Sequence, residues 1–96
     1  MSRPPIFKLR LYVAGSTQNS MLATANLNAL CRLHLPDRHY IEIVDVLREP
    51  KRALKDQIHM TPTLIKLMPS PIQRIVGTLN QAPFVLHALG VETPPS

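Results

Sequence analysis

Thiols, imidazoles and carboxylates are the side chains that would carry chemistry in this chain, and each is poorly placed for it. Cys31 is the lone cysteine. A single sulfur forms neither an internal disulfide nor a cysteine zinc site, and such sparing use suits a reducing compartment. His34, His39, His59 and His87 lack metal-ligand spacing and stand near no carboxylate pair. Asp37, Asp45 and Asp56 are single carboxylates without a recognisable acid–base partner. Only three glycines are present, none clustered, so no glycine-rich phosphate loop exists. The inventory argues against catalysis and calls for no metal or cofactor.

The elements that would position these groups belong to one small domain, residues 1–96. At 45% hydrophobic and 18% charged the composition is that of a globular chain rather than a disordered one. No apolar run approaches the ~20 residues that cross a bilayer. Lys8 and Arg10 interrupt the stretch where a secretory signal needs an unbroken apolar core, so the expected location is cytoplasmic. The net charge of +5 raises the question of nucleic acid. However, the basic residues are scattered, and the densest group (Arg48, Lys51, Arg52, Lys55) is diluted by Glu49 and Asp56. Phe7, Tyr12, Tyr40 and Phe84 are the only aromatics, too few for base stacking. An acidic protein surface is at least as natural a partner.

Ten prolines punctuate the chain and mark its segments. Residues 6–13 alternate, with Phe7, Leu9, Leu11 and Val13 on one face of a strand and Lys8, Arg10 and Tyr12 on the other. Gly15 marks a turn, after which Ser16 or Thr17 caps a helix over 18–34. Its apolar stripe reads Leu22, Ala25, Ala29 and Leu33, joined by Leu30. A second strand spans 40–47, parallel to the first because a helix joins them. Pro50 opens a short helix over 51–58, with Leu54 and Ile58 four apart. Residues 63–68 and 72–77 form a hairpin across Pro69 and Pro71, and a helix over 81–89 is capped by Asn80 and ended by Gly90. Residues 91–96 form a loose tail.

The order βαβαββα is an α/β thioredoxin-like arrangement, a four-stranded sheet covered by helices on both sides. Pro62, just before the third strand, falls where that fold places a cis-proline. A redox enzyme of the fold needs a Cys-x-x-Cys pair where the first strand meets the first helix, because the helix dipole there lowers thiol pKa. Gly15-Ser16-Thr17-Gln18-Asn19-Ser20 occupies that place without sulfur. The rival of a thiol or glutathione enzyme would rest on the backbone N–H groups of this helix start and on Ser16 and Thr17 alone.

Three separated blocks bring a family into view. They are Leu11–Ser20, Ile43–Pro50 and Thr61–Leu79, the last containing Thr-Pro-Thr-Leu-Ile-Lys-Leu-Met-Pro-Ser-Pro. In register over roughly residues 7–90, they resemble the KaiB family of cyanobacterial clock proteins. The resemblance implies a non-enzymatic regulator that binds a KaiC-like ring ATPase and displaces or recruits other clock components. Partners of that kind include a KaiA-like protein, a histidine kinase and further copies of itself. It also implies two arrangements of one chain. A resting tetramer or dimer is βαββααβ, keeping the N-terminal half, 6–47, and refolding the C-terminal half, 50–90; the monomer that binds KaiC is βαβαββα. Candidate fold-switch or structural positions are Pro62, Pro69, Pro71, Ala88 and Gly90. Lys66 and Arg74 keep the family's basic character and are the candidate contacts to an acidic partner.

The chain departs from the better-known members. Leu22 and Gln57 stand where basic residues are usual, Gln73 precedes Arg74 where two arginines are usual, and Ala88 and Gly90 replace a glycine and an aspartate. These changes point to a divergent member, with a clock-like or a stress-response role. The alternative is a thioredoxin-like adaptor or sensor module with a fixed fold and no redox activity, similar to the input domain of a clock-associated histidine kinase.

Overall fold

A computed structural model describes residues 4–91, so the tail expected over 91–96 lies, apart from Val91, outside the described residues. The elements follow the order β1 (Phe7–Val13), α1 (Gln18–His34), β2 (His39–Asp45), α2 (Pro50–Lys55), β3 (Thr63–Met68), β4 (Gln73–Val76) and α3 (Ala82–Leu89). The sheet order is β2-β1-β3-β4. β1 and β2 are parallel, and β1–β3 and β3–β4 are antiparallel. This is the βαβαββα arrangement expected from the sequence, and the Thr61–Pro62 bond is cis.

Alternation along β1 builds two cores. Phe7, Leu9, Leu11 and Val13 pack with Leu64 of β3 and Ile75 of β4 beneath α1 and α3. Tyr12, on the opposite face, packs with Val44, Ala53 and Ile65 under α2. Period-2 side-chain placement makes one strand serve both layers.

The buried face of α1 differs from the expected stripe. Ser20, Ala23, Leu27, Leu30 and Cys31 are buried, whereas Leu22 is 44% and Leu33 is 74% exposed. Residues 20 and 22 lie about 200° apart on a helix, so only one of the two stripes can face the sheet. The small residues Ser20 and Ala23 let the helix approach closely, and the polar Ser20 disguised this face from a hydrophobicity count. In α2 the expected Leu54–Ile58 pair does not form, because the helix ends at Lys55 and Gln57 adopts a positive φ of 56°. Ala53 faces inward instead, Leu54 is exposed, and Ile58 joins the smaller core from beyond the helix.

The helix ends also refine the reading. Thr17 is the residue preceding α1, but its hydroxyl bonds Ser20 Oγ at 2.8 Å rather than a backbone N–H. Gln81, not Asn80, precedes α3, and no side chain caps it. Pro83 sits in the first turn of α3, where a missing N–H does no harm. Gly90 ends α3 in the left-handed region (φ 76°), as expected. Gly90 N donates to His87 O and Val91 N to Leu86 O, the paired bonds of a Schellman motif. Val91 is therefore tied down rather than loose, and it packs on the larger core. A Cβ at residue 90 would meet nothing closer than Lys66 Nζ at 3.8 Å, so the penalty for a side chain there is conformational. Gly90→Ala is expected to destabilise by about 1 kcal/mol, read from the urea midpoint.

Candidate functional site

Where a thiol pair would sit in a redox relative, the loop after β1 is held by hydroxyl and carboxylate bonds. Ala14 N donates to Ser20 Oγ at 3.0 Å, and Gly15 N donates to Asp45 Oδ1 at 3.0 Å. Asp45 Oδ1 also accepts from Leu47 N at 3.0 Å, which turns the chain at the end of β2. Both Ser20 and Asp45 are thus committed to shaping the loop. Cys31 lies within the larger core, and burial pushes its thiol up to about 11. A thiol reagent should modify native Cys31 at least ~100-fold more slowly than the urea-unfolded chain, as stopped-flow absorbance would record.

The sequence-nominated residues fall into two groups. Lys66, expected to meet a partner, is turned inward and only 2% exposed. Its Nζ donates to Leu89 O at 2.9 Å and lies 5.9 Å from the centre of the Phe7 ring. Burial lowers its pKa. The cause of its inward turn is β3 register: Lys66 shares the face of Leu64, and its amine satisfies a carbonyl left open at the end of α3. In this arrangement Lys66 ties β3 to the end of α3 from inside the fold rather than standing at its surface. Arg74, by contrast, is exposed on β4 opposite Ile65, with Nη1 donating to Gln57 O at 3.3 Å. Pro62 O accepts from Gly77 N at 2.9 Å, and Pro69 and Pro71 flank the β3–β4 turn with cis bonds before each. Ala88 packs half-buried on the larger core.

The charged cluster on the α2 face was not foreseen. The parallel register places Arg10 of β1 beside Glu42 of β2. Arg10 Nε reaches Glu42 Oε1 at 2.8 Å, and its Nη1 reaches Asp56 Oδ2 at 3.1 Å. Arg52 Nη1 holds Glu42 Oε2 at 2.9 Å and Glu49 Oε1 at 3.5 Å. Tyr12 donates its hydroxyl to Asp56. The signal for Arg10–Glu42 was available, because a βαβ unit implies parallel pairing and the two residues occupy the same face. Asp56, read as partnerless, depended on a loop conformation that no local pattern specified.

These contacts shift the titrations. Hydrogen bonds from Arg52, then Arg10, bring the Glu42 carboxyl down to about 2. Tyr12's hydrogen bond and Arg10 lower Asp56, while burial, with Asp56 close by, pushes Tyr12 up to about 12. A carboxyl depressed in the folded state contributes stability above its unfolded value and loses it as pH falls through the folded one. The melting temperature is therefore expected to fall between about pH 4.5 and pH 2, and Glu42→Gln should flatten that limb, as a pH series of thermal melts would reveal.

The fold and its relatives converge. Among solved structures, chloroplastic thioredoxin z is similar with a TM-score of 0.74 at 18% identity, covering 88% of this chain and 76% of that one. The N-terminal domain of Synechococcus elongatus SasA aligns with a TM-score of 0.71 at 17% identity, covering 100% of this chain and 94% of that domain. At such identities these likenesses speak for the fold, which is thioredoxin-like. Circadian clock protein KaiB3 of Synechocystis sp. is 44% identical over 83 residues, 86% of this chain and 81% of the relative. Circadian clock oscillator protein KaiB of Prochlorococcus marinus is 39% identical over 89 residues, 93% of this chain and 76% of the relative. The KaiB domain model matches residues 10–91. From its first strand to the end of its last helix, this chain belongs to the KaiB family, whose members are clock regulators rather than enzymes.

Proposed function

We propose that the chain is a non-enzymatic regulator that binds a KaiC-type ring ATPase as a thioredoxin-like monomer in the cytoplasm. The observation that carries this reading is a thioredoxin-like backbone whose thiol positions are filled by structural hydroxyls, in a member of a clock-protein family. A surface that cannot exchange disulfides acts by being recognised. Arg74 is the exposed candidate contact, together with structural roles for Pro62, Pro69, Pro71, Ala88 and Gly90. In a resting tetramer or dimer the C-terminal half, 50–90, refolds while 6–47 is kept, so that the whole chain takes the βαββααβ arrangement. KaiA-like proteins and histidine kinases are further partners of this kind, in a clock-like or a stress-response system.

The test is a pull-down with a purified KaiC-type ATPase in its ATP and ADP states. Retention under one nucleotide, weakened by Arg74→Ala, supports the reading; absence of retention under both overturns it. A second reading, a fixed-fold adaptor, is favoured by the alignment with the SasA domain over the whole chain. Size-exclusion chromatography separates the two. A tetramer or dimer exchanging slowly with monomer supports switching, and a permanent monomer supports the adaptor.

A further inference from the structure

The two sides of the sheet are unequally covered. α1 and α3 enclose one face, but α2 has only six residues, about 9 Å of helix, against strands of seven residues that run about 23 Å. It shelters Tyr12, Val44 and Ile65 and leaves the opposite end of that face open. There Lys8 pairs in register with Tyr40, which is 60% exposed. A basin of about 420 Å³ lies between Lys8, Arg10, Tyr40 and Glu42. A second, of about 250 Å³, is lined by Arg10, Tyr12, Arg52, Lys55 and Asp56, so Arg10 stands on the divide. On β4, Arg74 and the exposed Val76 border the same face.

Charge decides what this face would take. Lys8, Arg10, Arg52, Lys55 and Arg74 stand against three carboxylates, Glu42, Glu49 and Asp56. All three are already engaged, Glu42 through each of its oxygens, Asp56 by Tyr12 and Arg10, and Glu49 by Arg52. Lys8 and Lys55 make no ion pair among the described residues. The unspent charge is positive, and it stands beside the exposed ring of Tyr40. A phosphodiester chain suits the face less well. Tyr40 offers a single exposed aromatic ring, and Glu42 in the basin opposes a ligand with charge at every step. Spaced carboxylates with aliphatic side chains between them match both features.

We propose that the part of the sheet face left open by α2 is a docking surface for an acidic, aliphatic-bearing segment of a partner protein, seated across Lys8, Tyr40 and Arg74. The assignment holds whether or not that partner is a ring ATPase, and its test uses none. The ¹⁵N-labelled full chain is titrated with a peptide of Glu-Glu-Leu repeats, alongside a Lys-Lys-Leu peptide and oligo-dT. Saturable amide shifts are expected at Lys8, Tyr40 and Arg74 with the acidic peptide, weakening about tenfold between roughly 50 and 300 mM salt. Lys8→Glu combined with Arg74→Glu should weaken binding at least ~10-fold, and Tyr40→Ala about 3-fold, with the amide spectrum of the α1–α3 side unchanged. Shifts confined to the α1–α3 side, no saturable shifts, or equal response to the lysine peptide would overturn the proposal. So would oligo-dT binding as tightly as the acidic peptide, which would make the face a nucleic-acid surface.

Discussion

Lys66→Glu is expected to destabilise the fold by about 4 kcal/mol, whereas Lys66→Met should stay within about 1 kcal/mol of the parent. The contrast follows from what the side chain touches. Its stem lies in the larger core, and its amine meets a carbonyl at the negative end of α3. Glutamate puts a buried anion against that carbonyl, with no donor for it. Methionine keeps the apolar volume and leaves one carbonyl unpaired, an expense partly offset by no longer burying an amine. For a domain of this size the glutamate variant should melt roughly 20 °C lower, measured by circular dichroism. The pH response carries a second signature. Because burial lowers the Lys66 pKa below 10.5, the unfolded chain binds the proton more tightly, so this residue adds stability as pH rises from the folded value towards 10.5. Tyr12, raised to about 12, acts in the opposite sense above pH 10, so the Lys66 contribution is read as the difference between parent and Lys66→Met.

Arg10→Ala should cost about 3 kcal/mol, read from urea denaturation. Arg10 is the bridge between Glu42 on β2 and Asp56 beyond α2, and its side chain is only 22% exposed. Removing it takes one charged partner from each of two partly buried carboxylates, leaving Glu42 to Arg52 and Asp56 to the Tyr12 hydroxyl. Arg10→Lys should recover less than half of the loss, since an ammonium lacks the planar fork that spans both acids. A double-mutant cycle with Glu42→Gln is expected to give a coupling above about 1 kcal/mol; a value near zero would mean that the bridge contributes nothing to stability.

Much of the fold was legible because local patterns and global packing agree. Strict alternation in β1, proline at the start of α2 and glycine after α3 each specify one local conformation, and the element order then constrains the topology. The face of α1 was not legible, since the helix carries two apolar stripes and the sheet selects the one containing Ser20. Lys66 illustrates a different limit. A lysine on a strand reads as solvent-facing, and only the arrival of α3, some twenty residues later in the chain, supplies the carbonyl that draws it inward. The Arg10–Glu42 pair was within reach of the sequence through strand register, but the Asp56 contribution required a loop geometry fixed by tertiary packing. Of the candidate contacts, Arg74 lies at the surface and Lys66 does not.

The sealed position of Cys31 has a consequence for how information can enter the molecule. With its only sulfhydryl enclosed by core side chains and held in the protonated form, the protein offers no handle to glutathione or to a disulfide relay. Shifts in the thiol balance of its surroundings should therefore pass it by, and whatever sets its state must arrive through touch, concentration or electrostatics rather than through electrons.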